Sequence, residues 1–407
     1  MTKKKEFPSE FPGINWMDQA EKDAVADVIE NRAPFRFYGP AEPKHALMLE
    51  ETAKEAIGRD FALAINSGTG GLCAAMLAMG VGPGDEVIVP AFLWVATVGA
   101  VVHCNAIPVF CEVDESFNMD PVDLAKKITP RTKLITVIHM AGAAADMDSI
   151  MALANERGVD VMEDCAQCNG GSYKGKRLGS FGRVAMFSFQ LNKNATSGEG
   201  GLLVTDDEEL YWRMNAAHDL GIAWRGAAPE GQTDRCLWGT GRRMSELCAA
   251  VANVQLGKVL EITAHMRSSN HRIMMGLQDI PGVEFRKLHD PAGDTGPFLI
   301  LILENADKAL AAVASLTEAG LGSLWRTADY GMHCYYNIPQ LVGKVPLSPA
   351  GNPWSLPQNA DSVYDYHKGA CPQSDALFDR SIVINIPSRM TTEQEDMYIE
   401  HIKEAVS

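Results

Sequence analysis

Basic charge is scarce in this chain: 36 lysines and arginines stand against 52 aspartates and glutamates, a formal net charge of −16. General affinity for nucleic acid needs a basic face and is therefore excluded. An anionic ligand would have to be held at a local site made of helix ends and a few arginines. A disulfide framework is also missing. The nine cysteines are odd in number and scattered from Cys73 to Cys371, which points to a reducing, cytoplasmic compartment. Long apolar runs are lacking too. The most apolar stretch, 92–113, is broken by His103, Asn105 and Pro108 and reads as a buried helix followed by a strand, not a membrane span. The first residues carry Lys3, Lys4 and Lys5 without an apolar segment behind them, so no signal peptide is expected. No internal repeat or low-complexity tract is evident.

What is there is a globular composition, 46% hydrophobic over 407 residues, enough for two or three domains or one large domain with a smaller partner. From about residue 58 to 205, short β-rich runs alternate with helical patterns. Strands are expected at 61–65, 86–89, 108–113, 134–139, 159–163, 184–189 and 201–204, with helices at 72–79, 93–103, 121–128 and 147–156. Such alternation predicts an α/β domain with a seven-stranded, largely parallel sheet covered on both faces. The segment from Ser245 is helical to Leu256 and continues towards Arg267. Beyond it, strands at 298–303 and 382–386 and helices at 307–319 and 392–406 describe a smaller α+β domain, with Thr392 and Glu395 as a capping box for the last helix. The expected division is an N-terminal segment 1–40, a large domain 41–265 and a small domain 266–407. Within the last, 341–373 is rich in Pro, Gly, Asn and Asp and reads as a long loop, a candidate lid or substrate-binding element.

Ligands of parallel sheets gather at the carboxyl ends of strands. Three chemically distinct groups fall there in order. Ser67-Gly68-Thr69 lies between a strand and a helix, and N–H groups at a helix start, helped by hydroxyls, bind a phosphate dianion. Asp164 ends the run that begins at Val159, and Lys193 follows the run that ends with Ser188 and Phe189. A phosphate cradle, a carboxylate and a lysine meet the needs of pyridoxal 5′-phosphate (PLP). Cys165 and Cys168 have redox or metal spacing, but no second pair completes a zinc site, so their expected role is packing and no metal is expected.

The motifs Asn66-Ser-Gly-Thr69, Gly82-Pro-Gly-Asp-Glu-Val-Ile-Val-Pro90, Thr129-Pro-Arg-Thr-Lys133, Glu163-Asp164 with Ala166-Gln167, Gly179-Ser-Phe-Gly182 and Ser197-Gly-Glu-Gly-Gly201 together resemble the DegT/StrS group of sugar aminotransferases, fold-type I PLP enzymes. The resemblance implies that Lys193 is the Schiff-base lysine, its amine expected to be made nucleophilic by burial and a neighbouring cation. It makes Asp164 the partner of the pyridine nitrogen, where a carboxylate keeps the ring an electron sink. Gln167 would approach the ring and its phenolic oxygen, and Trp94 would stack on the ring. Gly68, Thr69 and Ser188 would hold the phosphate. Arg36, Arg326 and His333 fall where relatives meet substrate, and His139 matches a family histidine with a structural hydrogen-bonding job.

The activity so implied is transfer of an amino group from glutamate or glutamine to a keto-sugar, expected to be nucleotide-linked, or to a keto-cyclitol, running ping-pong through pyridoxamine phosphate. A homodimer sharing its active site is expected with it. Two alternatives remain open: a dehydratase or deoxygenase of the same fold, against which Lys193 counts, and a non-catalytic PLP-binding regulator. One position departs from the pattern. Relatives place an Asn in a Gly-aromatic-Asn-aromatic-Arg segment that reaches the neighbouring subunit's phosphate, whereas here Gly241 occupies its place, followed by Arg242 and Arg243 as candidate substitutes.

Overall fold

The computed structural model describes residues 7–221 and 236–407. The first sheet is built from β1 (Phe61–Ile65), β2 (Glu86–Pro90), β3 (Ile107–Cys111), β4 (Thr132–Ile138), β5 (Asp160–Asp164), β8 (Val184–Ser188) and β9 (Gly201–Thr205), with β6 (Ser172–Tyr173) and β7 (Lys176–Arg177) forming a small hairpin between them. Its order is β1-β9-β8-β5-β4-β2-β3. Only β9 runs against its neighbours, and the other strand pairs are parallel. Strands β2, β3, β8 and β9 are buried at every position, as a sheet covered on both faces requires. The seven-stranded, mostly parallel sheet expected from the alternation is therefore present.

Helices α1 (Gln19–Glu30), α2 (His45–Ile57), α3 (Gly68–Ala78), α4 (Val95–His103), α5 (Pro121–Lys127), α6 (Met147–Arg157) and α7 (Glu208–His218) accompany this sheet. The next, α8 (Glu246–Leu277), runs 32 residues and leads to the second sheet. It passes the length and hydropathy test for a membrane span, yet it packs against α1 and α2 and ties them by charge. The Glu246 carboxylate accepts the N–H groups of Lys44, His45 and Ala46 and so caps α2, whose own N-cap side chain makes no such bond. The expected boundary near residue 265 lies inside this continuous helix. The smaller sheet is antiparallel, in the order β10 (Val283–Phe285), β11 (Phe298–Leu303), β13 (Ser381–Asn385), β12 (Leu324–Arg326). Helices α9 (Ala306–Glu318), α10 (Pro339–Val342), α11 (Pro372–Asp379) and α12 (Thr392–Val406) complete it.

Two expectations are corrected. The capping box of α12 is Thr391 with Gln394, one residue earlier than expected, because Thr391 is the residue with extended φ and ψ. The segment 341–373 is a strap, not a lid over its own cleft. Asn359 accepts from Gly84 N–H and donates to Asn105 O, Ser362 and Tyr364 donate to Glu86, and Tyr366 donates to Pro108 O. Glu86 and Pro108 stand at the starts of β2 and β3, the edge of the sheet opposite the strand ends where ligands gather.

Candidate active site

The carboxyl ends of the parallel strands surround a cavity of about 310 Å³. Ser67, Gly68 and Thr69 line one side, Asp164 and Gln167 another, and Ser188, Lys193, Trp94 and His333 complete the wall. The ends of β1, β2, β5 and β8 supply all of these but His333, which lies in a short turn after β12, and this is how residues over 100 positions apart converge on one ligand.

Asp164 is the last residue of β5 and only 4% exposed. Burial pushes its carboxyl up, while the Ala166 N–H, the Thr97 hydroxyl and the charge of Lys193 pull it down. Both oxygens are anchored: Oδ2 accepts from Thr97 Oγ1 at 3.0 Å and Oδ1 from Ala166 N at 3.0 Å. Burial in turn lowers the Lys193 amine, opposed by the Asp164 charge, so the amine loses its proton more readily than a solvated lysine. Lys193 is placed by its own N–H on Gln190 O and by Gly13 N–H on its carbonyl.

Residues Gly68 and Thr69 begin α3, whose first N–H groups have no intrahelical partner. The Ser67 hydroxyl accepts from Gly70 N. A Cβ on Gly68 would stand 3.0 Å from Ser188 Cβ, so the helix start and Ser188 face each other directly. Gly201 permits this approach, because a Cβ there would meet the Ser67 carbonyl at 2.6 Å. Gln167 Oε1 accepts the Ala141 N–H at 2.9 Å, which turns its NH₂ group to the cavity. Trp94, 41% exposed, sits at the start of α4, 4.8 Å from the His333 ring. Donors for a dianion, a carboxylate for a ring nitrogen and a lowered amine for an aldehyde therefore line one space of suitable size, and this donor set fits PLP.

Around Asp164 lies a staple. Glu163 accepts from Gly179, Phe181 and Gly182 N–H groups and pairs with His139 Nε2. His139 Nδ1 accepts the Ala145 N–H, so the ring carries its proton on Nε2 and donates it to Glu163. This is the structural role expected of His139. Glu163, His139 and Cys165 stand close enough to hold a metal, but the hydrogen bonds already occupy both oxygens of the carboxylate and both ring nitrogens. The Cys165 and Cys168 thiols, pushed up by burial, are inert packing groups.

An outer chamber of about 250 Å³ shares Gln167, Asn192, Lys193 and His333 with the first cavity and adds Glu10, Phe11, Ser323, Trp325, Tyr330 and Asn385. His333 is the one residue of the substrate set that the structure brings there. Its Nδ1–H donates to Tyr330 O, its ring stacks on Tyr330 at 4.0 Å, and burial lowers its pKa to about 4. Arg36 is corrected: it is 5% exposed, ion-paired with Glu50 and bonded to Ala64 O, bracing β1 outside the cleft. The N-terminal segment does enter the site, but through Glu10 to Pro12. Arg326 is corrected as well. It follows Trp325 on β12, so alternation sends it to the other face, where Asp329 holds it by two bonds. Trp325, Tyr330, Ser323 and Asn385 escaped sequence reading; the one signal for Trp325 was its place beside Arg326 on a short strand.

Arg242 and Arg243 are both engaged within their own chain. Arg242 Nη1 donates to Gly70 O at 3.2 Å, and Arg243 pairs with buried Asp219 and lies over the Phe35 ring.

The sequence profile of the DegT/DnrJ/EryC1/StrS aminotransferase family matches residues 17–342. The chain belongs to that family. Among curated proteins, this family member is 33% identical over 363 residues to the L-glutamine:2-deoxy-scyllo-inosose aminotransferase of Streptomyces kanamyceticus, covering 84% of this chain and 79% of that one. It is 39% identical over 208 residues to the GDP-perosamine synthase of Escherichia coli O157:H7, covering 51% of this chain and 56% of that one. Among solved structures, 3-amino-5-hydroxybenzoic acid synthase superposes with a TM-score of 0.80 at 28% identity, over 98% of both chains. DesV of S. venezuelae gives 0.78 at 26% identity, covering 99% of this chain and 98% of that one. The family member described here is an aminotransferase of the same α/β fold.

Proposed function

We propose that this aminotransferase uses PLP to move an amino group from glutamate or glutamine to the ketone of a sugar or cyclitol. The observation that carries the reading is the convergence of the Lys193 amine, the Asp164 carboxylate and the α3 N-terminus on one cavity. When bound, the cofactor would supply an electron sink for breaking a C–H bond next to nitrogen. The α3 N–H groups and Ser188 would hold its phosphate. Asp164, fixed by Thr97 and Ala166, would keep a proton on the ring nitrogen. Lys193 would carry the proton to and from the reacting carbon, a task suited to an amine whose pKa burial lowers. His333, neutral at working pH, would offer Nε2 as an acceptor to a substrate hydroxyl.

The named relatives act on a cyclitol and bear a nucleotide-sugar name, and they support an acceptor from these two classes. A homodimer is part of the reading, supported by residues 236–243, in which Trp238 is an exposed aromatic and Arg242 is bonded to Gly70 O beside the site. So is a reducing cytoplasm, in which nine free thiols persist. To test the reading, borohydride-treated holoenzyme is digested and mapped, and the protein loaded with pyridoxamine phosphate is offered a panel of keto-sugar nucleotides and inososes. The label should lie on the Lys193 peptide, and at least one ketone should be aminated. A label on another lysine, or amination by Lys193→Ala at the wild-type rate, would overturn it.

A further inference from the structure

The turn that fixes Gln167 is itself held from the smaller sheet. After β4 the chain makes a tight turn, Met140–Gly142, in which Ala141 has φ +53°. A non-glycine residue in the left-handed region costs energy and persists only where its surroundings enforce it. Here they do. Arg286, directly after β10, is 7% exposed and donates from Nη1 to Met140 O at 3.2 Å and from Nη2 to Ala141 O at 2.8 Å. Thr295 donates both its N–H and its hydroxyl to Gly142 O at 3.0 Å. Asn118 Oδ1 accepts the Met140 N–H. With all three carbonyls of the turn bound, the Ala141 N–H has one direction left, and it points at Gln167 Oε1.

We propose that Arg286 is a positioning residue: it acts through the Met140–Gly142 turn to set which way the Gln167 amide faces the cofactor cavity. The inference rests on the PLP reading above and names a residue from the smaller sheet that touches neither cofactor nor substrate. Lysine cannot replace it, because one ammonium cannot span two carbonyls in the fixed fork of a guanidinium. Asp294, 3.4 Å from Nη2, supplies the countercharge.

The test follows the pH dependence of the bound cofactor's visible absorption in wild type, Arg286→Lys, Gln167→Leu and the double variant, with thermal unfolding alongside. Positioning predicts that Arg286→Lys moves the absorption midpoint in the same direction as Gln167→Leu, by on the order of half a pH unit or more. The double variant should move no further than Gln167→Leu alone. Thr295→Val, which removes one bond to Gly142 O and keeps the side-chain shape, should give a smaller shift of the same sign and stands in if Arg286→Lys does not fold. An unshifted midpoint with a lowered melting temperature, or additive shifts in the double variant, overturns the inference. Absence of any visible band in wild type overturns instead the cofactor reading beneath it.

Discussion

Thr97 donates its hydroxyl to Asp164 Oδ2 at 3.0 Å, so α4 supplies both the aromatic face at its start and the group that fixes the acid. That bond opposes the burial that raises the Asp164 carboxyl. Thr97→Val keeps the shape and removes the donor. The carboxyl should then rise further, and the acid limb of the activity profile should move to higher pH by about half to one unit. Asp164→Asn should lose several orders of magnitude in turnover, at about 1.4 kcal/mol for each tenfold, while the cofactor still binds. Near-normal turnover in Asp164→Asn would reduce the carboxylate to a structural cap.

The two arginines after Gly241 should separate cleanly. Arg242 is fastened to Gly70 O beside the phosphate cradle, and Arg242→Ala should weaken PLP binding by roughly one to two decades with little change in stability. Arg243 neutralises an Asp219 that has no exposure, so Arg243→Ala should instead destabilise the fold by about 3 kcal/mol. PLP dissociation constants and denaturation midpoints for both variants check this. A loss of PLP affinity confined to Arg243→Ala would reverse the assignment.

Two histidines are held neutral by burial: His333, lowered from 6.5 to about 4, and His218, lowered from 6.5 to about 3. The unfolded chain takes up these protons first as pH falls, so stability is unaffected above about pH 6.5 and is lost progressively below it. For His333 alone the loss is roughly 2 kcal/mol at about pH 5. His333→Gln removes the titration and should show a smaller fall in melting temperature between about pH 7 and about pH 5 than wild type. Equal falls would mean that the ring is accessible to protons in the folded state.

The chemistry of the inner cavity was legible because it follows chain order. A helix start, an acid and a lysine each come just after an apolar run, and parallel strands bring their ends together. Arg36 misled because its partner, Glu50, sits in a helix whose contact with it no local pattern announces. Arg326 misled because a three-residue strand has no visible alternation; its pairing with β13 decides that Trp325, not Arg326, faces the cleft. The long segment 341–373 had the composition of a lid, but composition says nothing about the edge to which Glu86 and Asn105 would bind it. The outer chamber was the least legible part. Beyond Gln167 and Lys193, its wall comes from scattered stretches, among them Glu10 to Pro12, Ser323 to His333 and Asn385, with no shared motif.

Asn385 carries the last prediction. It ends β13, its N–H is spent on Ser323 O, and its Oδ1 is buried without a partner among the described residues while its side chain lines the outer chamber. A buried polar atom left unpaired costs free energy that a ligand's hydroxyl recovers on binding. Asn385→Leu should therefore raise the KM for the acceptor by about tenfold, the equivalent of one ordinary hydrogen bond, and leave the cofactor's absorption unchanged. Because the side-chain amide makes no hydrogen bond among the described residues, the same change should cost little stability, and replacing the unpaired atom with an apolar group is expected to be neutral or slightly stabilising. Steady-state kinetics with saturating amino donor, beside a thermal melt, distinguish the outcomes. An unchanged KM with a lowered melting temperature would place Asn385 in the structural frame of the small sheet and leave Ser323 and Trp325 as the acceptor's polar and aromatic contacts.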